Sequence, residues 1–501
     1  MIGLLEVITG AMALGIVLFG LSQAWLALNY QRSKDKNLAA KPIAIWSGAL
    51  PKVLMQLPIY NERYVVERLL RAVALQDYPH DKLTIQLLDD STDETTEIAA
   101  RVIAELVKTG VNIQHIRRKD RGGFKAGALQ AGLALDNSEF IAIFDADFIP
   151  QPDFIKSIIV YFSNPKVGMV QTRWDHLNAN YSTLTKILSF GIDAHFSMEQ
   201  GGRQASDSFI NFNGTAGMWR RKTIDEAGGW SSDCLTEDLD LSFRSQLMGW
   251  KFLFVESIST PSELPVELSA IRSQQYRWTK GAAEVGRKLL PLLWSSNEPL
   301  SRKVVGSFHM LNSWIFPSVC VFSFLIALFP FLMGHGAEAA FMPIGIMLLV
   351  GTISVVFAYA TAQTHGHFKH RDSNFIHAIY GAFMFMFLTS GLSLHNAIAV
   401  IQGLFGYKTE FVRTPKLNIL ADDHKVTTNR AYTLKFLTFG FLLEFCAMLL
   451  FVGLSLHSLW FGHFLLLSVY GYFAAGYVMV VYFTLQEVMM TAAHNRAQAI
   501  A

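Results

Sequence analysis

Cysteine and concentrated positive charge are both scarce in this sequence. Its three cysteines, Cys234, Cys320 and Cys446, lie far apart, and there is no Cys-x-x-Cys pair and no Cys/His cluster. This spacing predicts free thiols and no zinc site. The net charge of +2, without any basic block, argues against a nucleic-acid-binding protein.

Two phosphate-binding signatures are also missing. Neither G-x-x-x-x-G-K-[ST] nor G-x-G-x-x-G occurs, so a P-loop or a dinucleotide-binding fold lacks support. There is no internal repeat and no low-complexity tract. At 501 residues and 51% hydrophobic, the chain is longer than one ordinary domain and too apolar for a purely soluble protein.

The first long apolar run covers residues 2–28, which is enough to cross a bilayer. No basic residue precedes it and no small-residue cleavage site follows, which favours a retained transmembrane anchor over a signal peptide. Four basic residues come directly afterwards, at Arg32, Lys34, Lys36 and Lys41. By the positive-inside rule, the N-terminus faces outward and the segment that follows is cytosolic.

Apolar runs dominate again after Val305. Four of them are predicted to be spans, at Phe308–Met333, Phe341–Ala362, Phe436–Leu456 and Trp460–Leu485. A further run, Ile376–Leu404, would place the basic loop of residues 407–430 outside if it crossed once. If this run lies along the cytosolic face, or enters and returns, every basic loop stays inside, and we predict this second topology.

Counting the sides of the membrane in this way predicts five spans, with the middle domain and the C-terminus in the cytosol. The predicted segments are an anchor (1–30), a middle domain (45–305), two helices (306–366), an interface helix and loop (374–430), two helices (432–490) and a tail (491–501).

The middle domain alternates between helix-like and strand-like segments. Helix-like runs include Glu62–Leu75, Thr92–Lys108 and Gly123–Leu135. The strand-like runs are Val53–Ile59, Leu83–Leu88, Phe140–Phe144, Val167–Thr172, Phe209–Phe212 and Phe252–Val255. This alternation predicts an α/β domain with a mainly parallel sheet, inserted between transmembrane helices.

Polar residues cluster where the predicted strands end, which is where open parallel sheets bind ligands. The clusters are Tyr60-Asn61-Glu62, Asp89-Asp90-Ser91, Asp145-Ala146-Asp147 and Asn213-Gly214-Thr215. Asp145 and Asp147 offer two hard oxygen ligands near one point, which suits Mg²⁺ or Mn²⁺ held together with a diphosphate. A solvated turn is the alternative for such a pair of carboxylates.

Two other positions have both a structural and a functional interpretation. Asp90 either belongs to a helix N-cap or accepts hydrogen bonds from a nucleobase or ribose. Lys125 lies among glycines at a predicted helix start, where it is either a solvated lysine or a contact for a diphosphate.

The segment Thr236-Glu237-Asp238 precedes a helix with apolar periodicity. One interpretation is a helix cap. In the other, Asp238 is a general base that takes the proton from an attacking sugar hydroxyl. Displacement at an anomeric carbon needs such a base, an in-line geometry and a metal that stabilises the leaving diphosphate.

The segment Gln274-Gln-Tyr-Arg277-Trp278 is the most specific of these signals. As an interfacial helix, it would carry a snorkelling Arg277 and an amphipathic Trp278 close to the membrane. That interpretation does not explain why Gln, Arg and Trp occur at this spacing. A tryptophan face is also a stacking platform for a sugar ring, and Arg277 could counter a departing diphosphate.

Together, these motifs resemble those of the membrane-embedded processive glycosyltransferases of family 2, the cellulose synthase superfamily. Its shared pattern is D, DxD, TED and QxxRW, and this sequence has all four in order, at Asp90, Asp145 with Asp147, Thr236–Asp238 and Gln274–Trp278. Four further segments resemble the plant cellulose-synthase-like A and C groups, which make glucomannan and xyloglucan backbones: Leu57–Glu62, Leu88–Asp93, Phe124–Ala128 and Phe212–Gly217.

The resemblance implies a GT-A fold, an inverting transfer and Mg²⁺ or Mn²⁺ as the cofactor. The implied roles are contact with the nucleotide (Asp90), with metal and diphosphate (Asp145, Asp147), general base (Asp238) and binding of the acceptor end and the diphosphate (Gln274, Arg277, Trp278). Asp90 is also predicted to be catalytic, and Tyr60, Glu62 and Lys125 are predicted to bind substrate. The gating loop of the family, F-x-V-T-x-K, is matched at Phe411, Thr414 and Lys416, with Arg413 in place of valine. No domain follows Ala501, so we expect no cyclic-dinucleotide-binding barrel.

The expected protein is a multi-pass enzyme of a bacterial inner membrane or a Golgi-type membrane. It would polymerise a β-linked glucan or mannan from cytosolic UDP-glucose or GDP-mannose and pass the growing glycan through the bilayer. One alternative is the transfer of a single sugar to a membrane lipid, as in glucosylceramide- or glucosyldiacylglycerol-type synthases. Another is a non-catalytic membrane scaffold. The donor stays open, since the A group points to GDP-mannose and the C group to UDP-glucose.

Overall fold

The computed structural model describes residues 2–37, 46, 48–333, 337–366, 374–409, 412–420 and 438–500. These residues form one mixed sheet covered by helices and a set of long apolar helices drawn from both ends of the chain. The strands are β1 (Val53–Ile59), β2 (Leu83–Asp89), β3 (Ile113–Arg117), β4 (Phe140–Ile143), β5 (Val167–His176), β6 (Gly217–Arg220) and β7 (Lys251–Ser262).

The sheet has seven strands in the order β3-β2-β1-β4-β6-β5-β7. Only β6 runs antiparallel to its neighbours, β4 and β5, so the prediction of a mainly parallel sheet is confirmed. The register pairs Ile59 with Asp89 and Gln56 with Ile143. Because these strands are parallel, the residues that follow them emerge at the same edge of the sheet.

Helices cover both faces of this sheet. They are α2 (Val66–Ala74), α3 (Thr95–Lys108), α4 (Phe124–Leu133), α5 (Phe154–Ile159), α6 (Thr183–Ala194), α7 (Gly201–Ala205), α8 (Arg221–Glu226) and α9 (Glu237–Leu247). Along β1, Val53 and Met55 pack into one hydrophobic cluster with α2, α3 and α5, while Leu54 packs into a second cluster with α4, α8 and α9. This alternation is expected of a strand that is buried on both faces.

The predicted strand at Phe209–Phe212 is wrong, although both phenylalanines are buried. Its amide groups find side-chain partners instead of a neighbouring strand. The amide of Ile210 donates to Gln246 Oε1 at 3.2 Å, and that of Phe212 donates to Ser242 Oγ at 2.9 Å. The strand that lies between β4 and β5 in the sheet is β6, which begins five residues after Phe212. Neither β6 nor the edge strand β3 was predicted from the sequence.

The remaining helices are α1 (Ile2–Asn37), α10 (Leu268–Ser295), α11 (Leu300–Met310), α12 (Ile315–Ala327), α13 (Phe329–Met333), α14 (Ala337–His365), α15 (Phe375–Gly391), α16 (Ser393–Phe405), α17 (Phe439–Trp460) and α18 (Phe464–Ile500). Among the described residues, five segments are long and apolar enough to span a membrane: Leu5–Ser33, Asn312–Phe331, Phe341–His365, Phe439–Trp460 and Phe464–Ala492. They correspond to the five predicted spans.

The run Ile376–Leu404 forms two helices, α15 and α16, that meet at an angle of 58°. By length and composition this bent pair fits either a broken span or a re-entrant pair. Its predicted placement on the cytosolic side therefore stays a prediction. The predicted span Phe308–Met333 starts later than expected, at Asn312, because a 3₁₀ turn over Asn312–Trp314 separates α11 from α12.

Helix α10 joins the sheet to the apolar helices and carries the Gln274–Trp278 motif. Near its start, Arg272 forms an ion pair with Glu444 of α17 and donates to Thr484 Oγ1 of α18 at 3.0 Å. The amide of Ser269 donates to Glu487 Oε2 of α18 at 3.2 Å. These contacts connect the start of α10 to the beginning of α17 and to the C-terminal half of α18.

Candidate active site

A cleft of about 220 Å³ opens at the carboxyl edge of the sheet. Every predicted site residue that the structure describes lines it, namely Tyr60, Glu62, Asp90, Lys125, Asp145, Asp147, Asp238, Gln274, Arg277, Trp278, Thr414 and Lys416. Phe411, predicted as part of the gating loop, lies outside the described residues. The strand ends, the tip of α9, helix α10 and the segment of residues 412–420 thus meet at one place.

The two aspartates after β4 each bind a lysine. Lys125 Nζ lies 2.5 Å from Asp145 Oδ1 and also donates to the Gly214 carbonyl at 2.9 Å. Lys416 Nζ lies 2.7 Å from Asp147 Oδ2, which accepts the Glu263 amide at 3.1 Å. Two hard carboxylates that both attract cationic groups at a shared cleft are a donor set that fits a divalent cation. Each carboxylate thus has a lysine partner and is not held by solvent alone, and the assignment of the pair as a metal site stays a prediction.

Asp90 is held by a residue that the sequence did not indicate. Arg118 Nε lies 3.0 Å from Asp90 Oδ1, and Arg118 Nη2 contacts Asp90 Oδ2, so the pair is bidentate. Helix α3 begins only at Thr95, and its first turn is served by Asp93, whose Oδ1 accepts the Thr95 amide at 3.0 Å. Asp90 therefore does not cap this helix, and its carboxylate lies at the cleft.

Tyr60 is covered by a second arginine from the same segment. The Arg121 guanidinium lies 3.3 Å from the centroid of the Tyr60 ring. Arg118 and Arg121 both follow β3, which ends beside β2 at the same edge as Asp90. These two arginines lie close together in the sequence, but only the position of β3 beside β2 shows that they reach the cleft.

Asp238 lies in the first turn of α9. Thr236 is the N-cap residue of this helix, but its side chain forms no cap hydrogen bond, and the acidic Glu237 and Asp238 lie in the first turn, where the helix dipole favours them. Gly214 packs against the carboxylate, because a Cβ atom there would lie 3.0 Å from Asp238 Oδ2 and 3.4 Å from Lys125 Nζ. Gly214 also has φ of +80°, a conformation that glycine adopts readily. Burial and the neighbouring Glu237 raise the pKa of Asp238 to about 7.

Residues 412–420 form a strap across the cleft. Arg277 Nη2 donates to Thr414 Oγ1 at 2.9 Å, and Arg277 Nη1 contacts the Val412 carbonyl. Burial lowers the pKa of Arg277 to about 10, so its guanidinium stays charged at neutral pH. Further along the strap, the amide of Leu417 donates to Glu263 Oε1 at 2.8 Å. Glu263 was not predicted as a site residue, and only the fold brings it here.

Arg413 stands where the motif F-x-V-T-x-K has valine, and it also connects the strap to the cleft. Its Nη1 donates to the Tyr60 carbonyl at 3.2 Å, and its Nη2 lies 3.5 Å from Glu62 Oε2. Burial raises the pKa of Glu62 to about 8, against the opposing effect of Arg413. The replacement of valine by arginine thus places a cation beside Tyr60 and Glu62.

A second cavity, of about 890 Å³, continues from the cleft between the apolar helices. The residues that line both spaces include Asn213, Thr236, Asp238, Gln274 and Trp278. Most of its other lining residues are apolar and come from α1, α6, α12, α14, α15 and α18. A ligand that reached from Asp238 through Trp278 would therefore enter the helical part of the molecule.

Comparisons with known proteins show the family to which this chain belongs. Residues 51–281 match the family model described as "Glycosyltransferase like family 2". A probable glucomannan 4-β-mannosyltransferase 6 of Oryza sativa subsp. japonica is 35% identical over 413 residues, covering 79% of this chain and 69% of the relative. Glucomannan 4-β-mannosyltransferase 1 of Cyamopsis tetragonoloba is 32% identical over 455 residues, covering 87% and 82%.

Among solved structures, a mannosyltransferase from Pyrobaculum calidifontis in complex with GDP-Man and Mn²⁺ has a TM-score of 0.50 at 20% identity, covering 72% of this chain and 97% of that one. The fold is therefore that of a GT-A glycosyltransferase. The chain belongs to family 2 of the glycosyltransferases, among its cellulose-synthase-like members. It is a multi-pass membrane hexosyltransferase that builds a β-linked glycan of the glucan or mannan type from a nucleotide sugar.

Proposed function

We propose that this protein polymerises β-linked mannose, as mannan or as the mannose-containing backbone of glucomannan, from GDP-mannose. The observation that carries the proposal is the cleft in which Asp145, Asp147, Lys125, Arg277 and Asp238 meet. The mannosyl donor is supported by the relatives named glucomannan 4-β-mannosyltransferase, which cover most of this chain. The resemblance to the plant A group pointed to the same donor.

In the proposed reaction, the hydroxyl oxygen of the acceptor's terminal sugar attacks the anomeric carbon of the donor. Asp238 takes the hydroxyl proton as the new C–O bond forms. The bond from the anomeric carbon to the diphosphate oxygen breaks, and its electron pair leaves with the diphosphate. Attack from the face opposite the leaving group inverts the α-linked donor and gives a β-linkage.

The other cleft residues are proposed to bind and orient the two substrates. Lys125 and Arg277 compensate the negative charge of the diphosphate, and Trp278 stacks against the acceptor sugar. Tyr60, Glu62 and Asp90 also line the cleft, and they are proposed to bind the nucleoside. Asp145 and Asp147 would hold Mn²⁺ or Mg²⁺, which supplies further positive charge for the departing diphosphate when it is bound.

We also propose that the growing glycan passes from the cleft into the second cavity and through the membrane. Support comes from the residues that both spaces share, Asp238 and Trp278 among them. In this proposal, the sheet domain of residues 45–305 and the bent helix pair face the cytosol, where nucleotide sugars are made available. The basic residues after the first span favour this orientation.

The direct test is incorporation of label from GDP-mannose and from UDP-glucose, in separate reactions, by purified protein with Mn²⁺ or Mg²⁺. We expect label from GDP-mannose to enter an ethanol-insoluble polymer. Treatment of this polymer with a β-mannanase should make the label soluble. If UDP-glucose gave polymer and GDP-mannose did not, the proposal that GDP-mannose is the donor would be overturned. Label that appears only in the organic phase would identify a lipid acceptor and overturn polymer synthesis.

The pH dependence of the reaction tests the proposed base. Because the pKa of Asp238 is raised to about 7 and a base must be deprotonated, kcat is expected to rise with pH up to about 7 and then level off. Below this value, the rate should fall about tenfold for each pH unit. The measurement is label incorporation at saturating donor across the pH range.

The variant Glu237→Gln provides a matched check on this profile. It removes the neighbouring carboxylate that raises the pKa of Asp238, so the inflection is expected to move to lower pH. A wild-type profile without an inflection near neutrality would contradict the assignment of Asp238 as the base.

A further inference from the structure

One side of helix α10 carries the Gln274–Trp278 motif and continues along the helix beyond it. The residues on this side recur at helical spacing, and they are Gln274, Arg277, Trp278, Gly281, Glu284 and Lys288. The first three line the cleft. The last three contact the segment of residues 235–240, which contains Asp238. A single helical face therefore reaches both the cleft and the segment that carries the proposed base.

Gly281 lets this segment lie directly against the helix. A Cβ atom at Gly281 would lie 2.5 Å from Thr236 Cγ2 and 2.9 Å from the Thr236 backbone nitrogen. Distances this short leave no space for a side chain in a close-packed interior. The peptide two residues before Asp238 is therefore in direct contact with α10.

Glu284 holds the neighbouring peptide of the same segment. Its Oε2 accepts the amide hydrogen of Leu235 at 2.8 Å, and the residue is only 8% exposed. Leu235 lines the cleft, whereas Glu284 lines neither the cleft nor the second cavity. Glu284 lies two turns beyond Arg277, about 10 Å further along the helix. It thus contacts the chain that leads into Asp238 without reaching the substrates.

Lys288 makes the third contact, on the other side of the proposed base. Its Nζ lies 2.7 Å from Asp240 Oδ1. Asp240 is fully buried and belongs to the first turn of α9, like Asp238. The contacts from α10 therefore bracket Asp238 from both directions along the chain.

The diphosphate side of the same helix is held by different partners. Arg277 Nη2 donates to Thr414 Oγ1 at 2.9 Å, and Arg277 Nη1 contacts the Val412 carbonyl. Both partners belong to the strap and not to the segment of residues 235–240. Loss of the Glu284 contact would therefore leave the proposed diphosphate contact in place while it releases the base.

We propose that Glu284 is a positioning residue for the general base. By accepting the Leu235 amide, it holds Asp238 at a set distance from Trp278, which is proposed to stack against the acceptor sugar. This inference rests on the proposed role of Asp238. A base must lie within hydrogen-bond reach of the hydroxyl proton, and a misplacement of about 1 Å can lower the rate about 100-fold.

The test is the variant Glu284→Leu, which removes the acceptor of the Leu235 amide. With GDP-mannose as donor, kcat is expected to fall about 10- to 100-fold because Asp238 leaves its position. KM for GDP-mannose and the Kd for GDP are expected to stay the same, since Arg277 keeps its partners.

The variant Glu284→Gln separates this hydrogen bond from the charge of Glu284. Glu284 Oε1 also lies 3.7 Å from Lys280, whose Nζ donates to Thr409 Oγ1 at 2.6 Å. Glutamine abolishes the ion pair with Lys280 but keeps an oxygen that can accept the Leu235 amide. It should therefore restore most of the activity that leucine removes.

A combination with Asp238→Asn distinguishes positioning from general support of the fold. If Glu284 acts through Asp238, Glu284→Leu should cause no further loss in the residual kcat of Asp238→Asn. A residue that only supports the fold would lower kcat by the same factor whether or not the base is present.

The chain offers a matched control in Glu298, which pairs with Arg302 at 2.7 Å and does not line the cleft. Its side chain is 15% exposed, compared with 10% for Glu284. Glu298→Leu should keep the wild-type kcat. If Glu284→Leu fails to fold, Gly281→Ala tests the same segment, because its methyl group would displace Thr236. The same loss of kcat is expected, again without a further loss in Asp238→Asn.

Two results would overturn the inference. One is an equal fold-loss of kcat from Glu284→Leu in the wild-type and Asp238→Asn proteins, and the other is a wild-type kcat in folded Glu284→Leu. Failure of the proposed function would be distinct from both. In that case, the wild-type protein would incorporate no mannose, or Asp238→Asn alone would keep full polymer synthesis.

Discussion

Replacing Asp238 by Asn is expected to lower polymer synthesis by about 10²- to 10⁴-fold, the usual contribution of a general base. The asparagine side chain keeps the shape of the carboxylate but cannot accept the hydroxyl proton. The position of α9 and the contact with Gly214 should persist, so the affinity for GDP should be retained. The measurement is kcat for label incorporation together with the Kd for GDP.

A control for this variant lies in the loop before the same helix. Asp233 is exposed and pairs with Lys288 at 2.8 Å, away from the cleft lining. Asp233→Asn should therefore keep nearly full activity, since exposed ion pairs contribute little. Full polymer synthesis by Asp238→Asn in membranes would show that the proposed mechanism is wrong.

The second large effect is expected for Asp147→Asn. This change removes a carboxylate that is proposed to hold the divalent cation, and it also removes the partner of Lys416. We expect a loss of at least about 100-fold in kcat, as for other lost electrostatic stabilisers of a leaving group. The affinity for GDP should no longer increase when Mn²⁺ is added.

Two further variants distinguish the loss of metal binding from the loss of the strap contact. Lys416→Ala removes the strap contact but keeps the carboxylate, so GDP binding should still respond to Mn²⁺. Asp153→Asn changes an exposed aspartate of the loop that follows and should behave like the wild type. A normal Mn²⁺ response in Asp147→Asn would exclude this aspartate as a metal ligand.

The sequence predicted the site well where its signals are local. Each predicted site residue that the structure describes lines the cleft, because a buried apolar strand followed by polar residues delivers those residues to one edge of a parallel sheet. The exact strands were harder to predict. The segment Phe209–Phe212 has the apolar character of a strand, but Gln246 and Ser242 take its amide groups, and nothing near it in the sequence indicates this.

Long-range pairing explains what the sequence could not predict. Arg118 and Asp90 are separated by 28 residues, and Lys416 and Asp147 by 269. Hydrophobic periodicity describes which face of an element is buried, but it carries no information about which charged groups meet after folding.

The sequence by itself determined the order of the motifs, the α/β character of the middle domain and the presence of spans at both ends, since these depend on composition and periodicity along short stretches. Only the tertiary structure decided the pairing of Arg118 with Asp90, the strap over Asp147 and the cavity that continues from Asp238. The first follows from the pairing of β2 with β3. The other two arise because α10, the strap and the apolar helices meet beside the carboxyl edge of the sheet, which brings residues distant in sequence into a shared space.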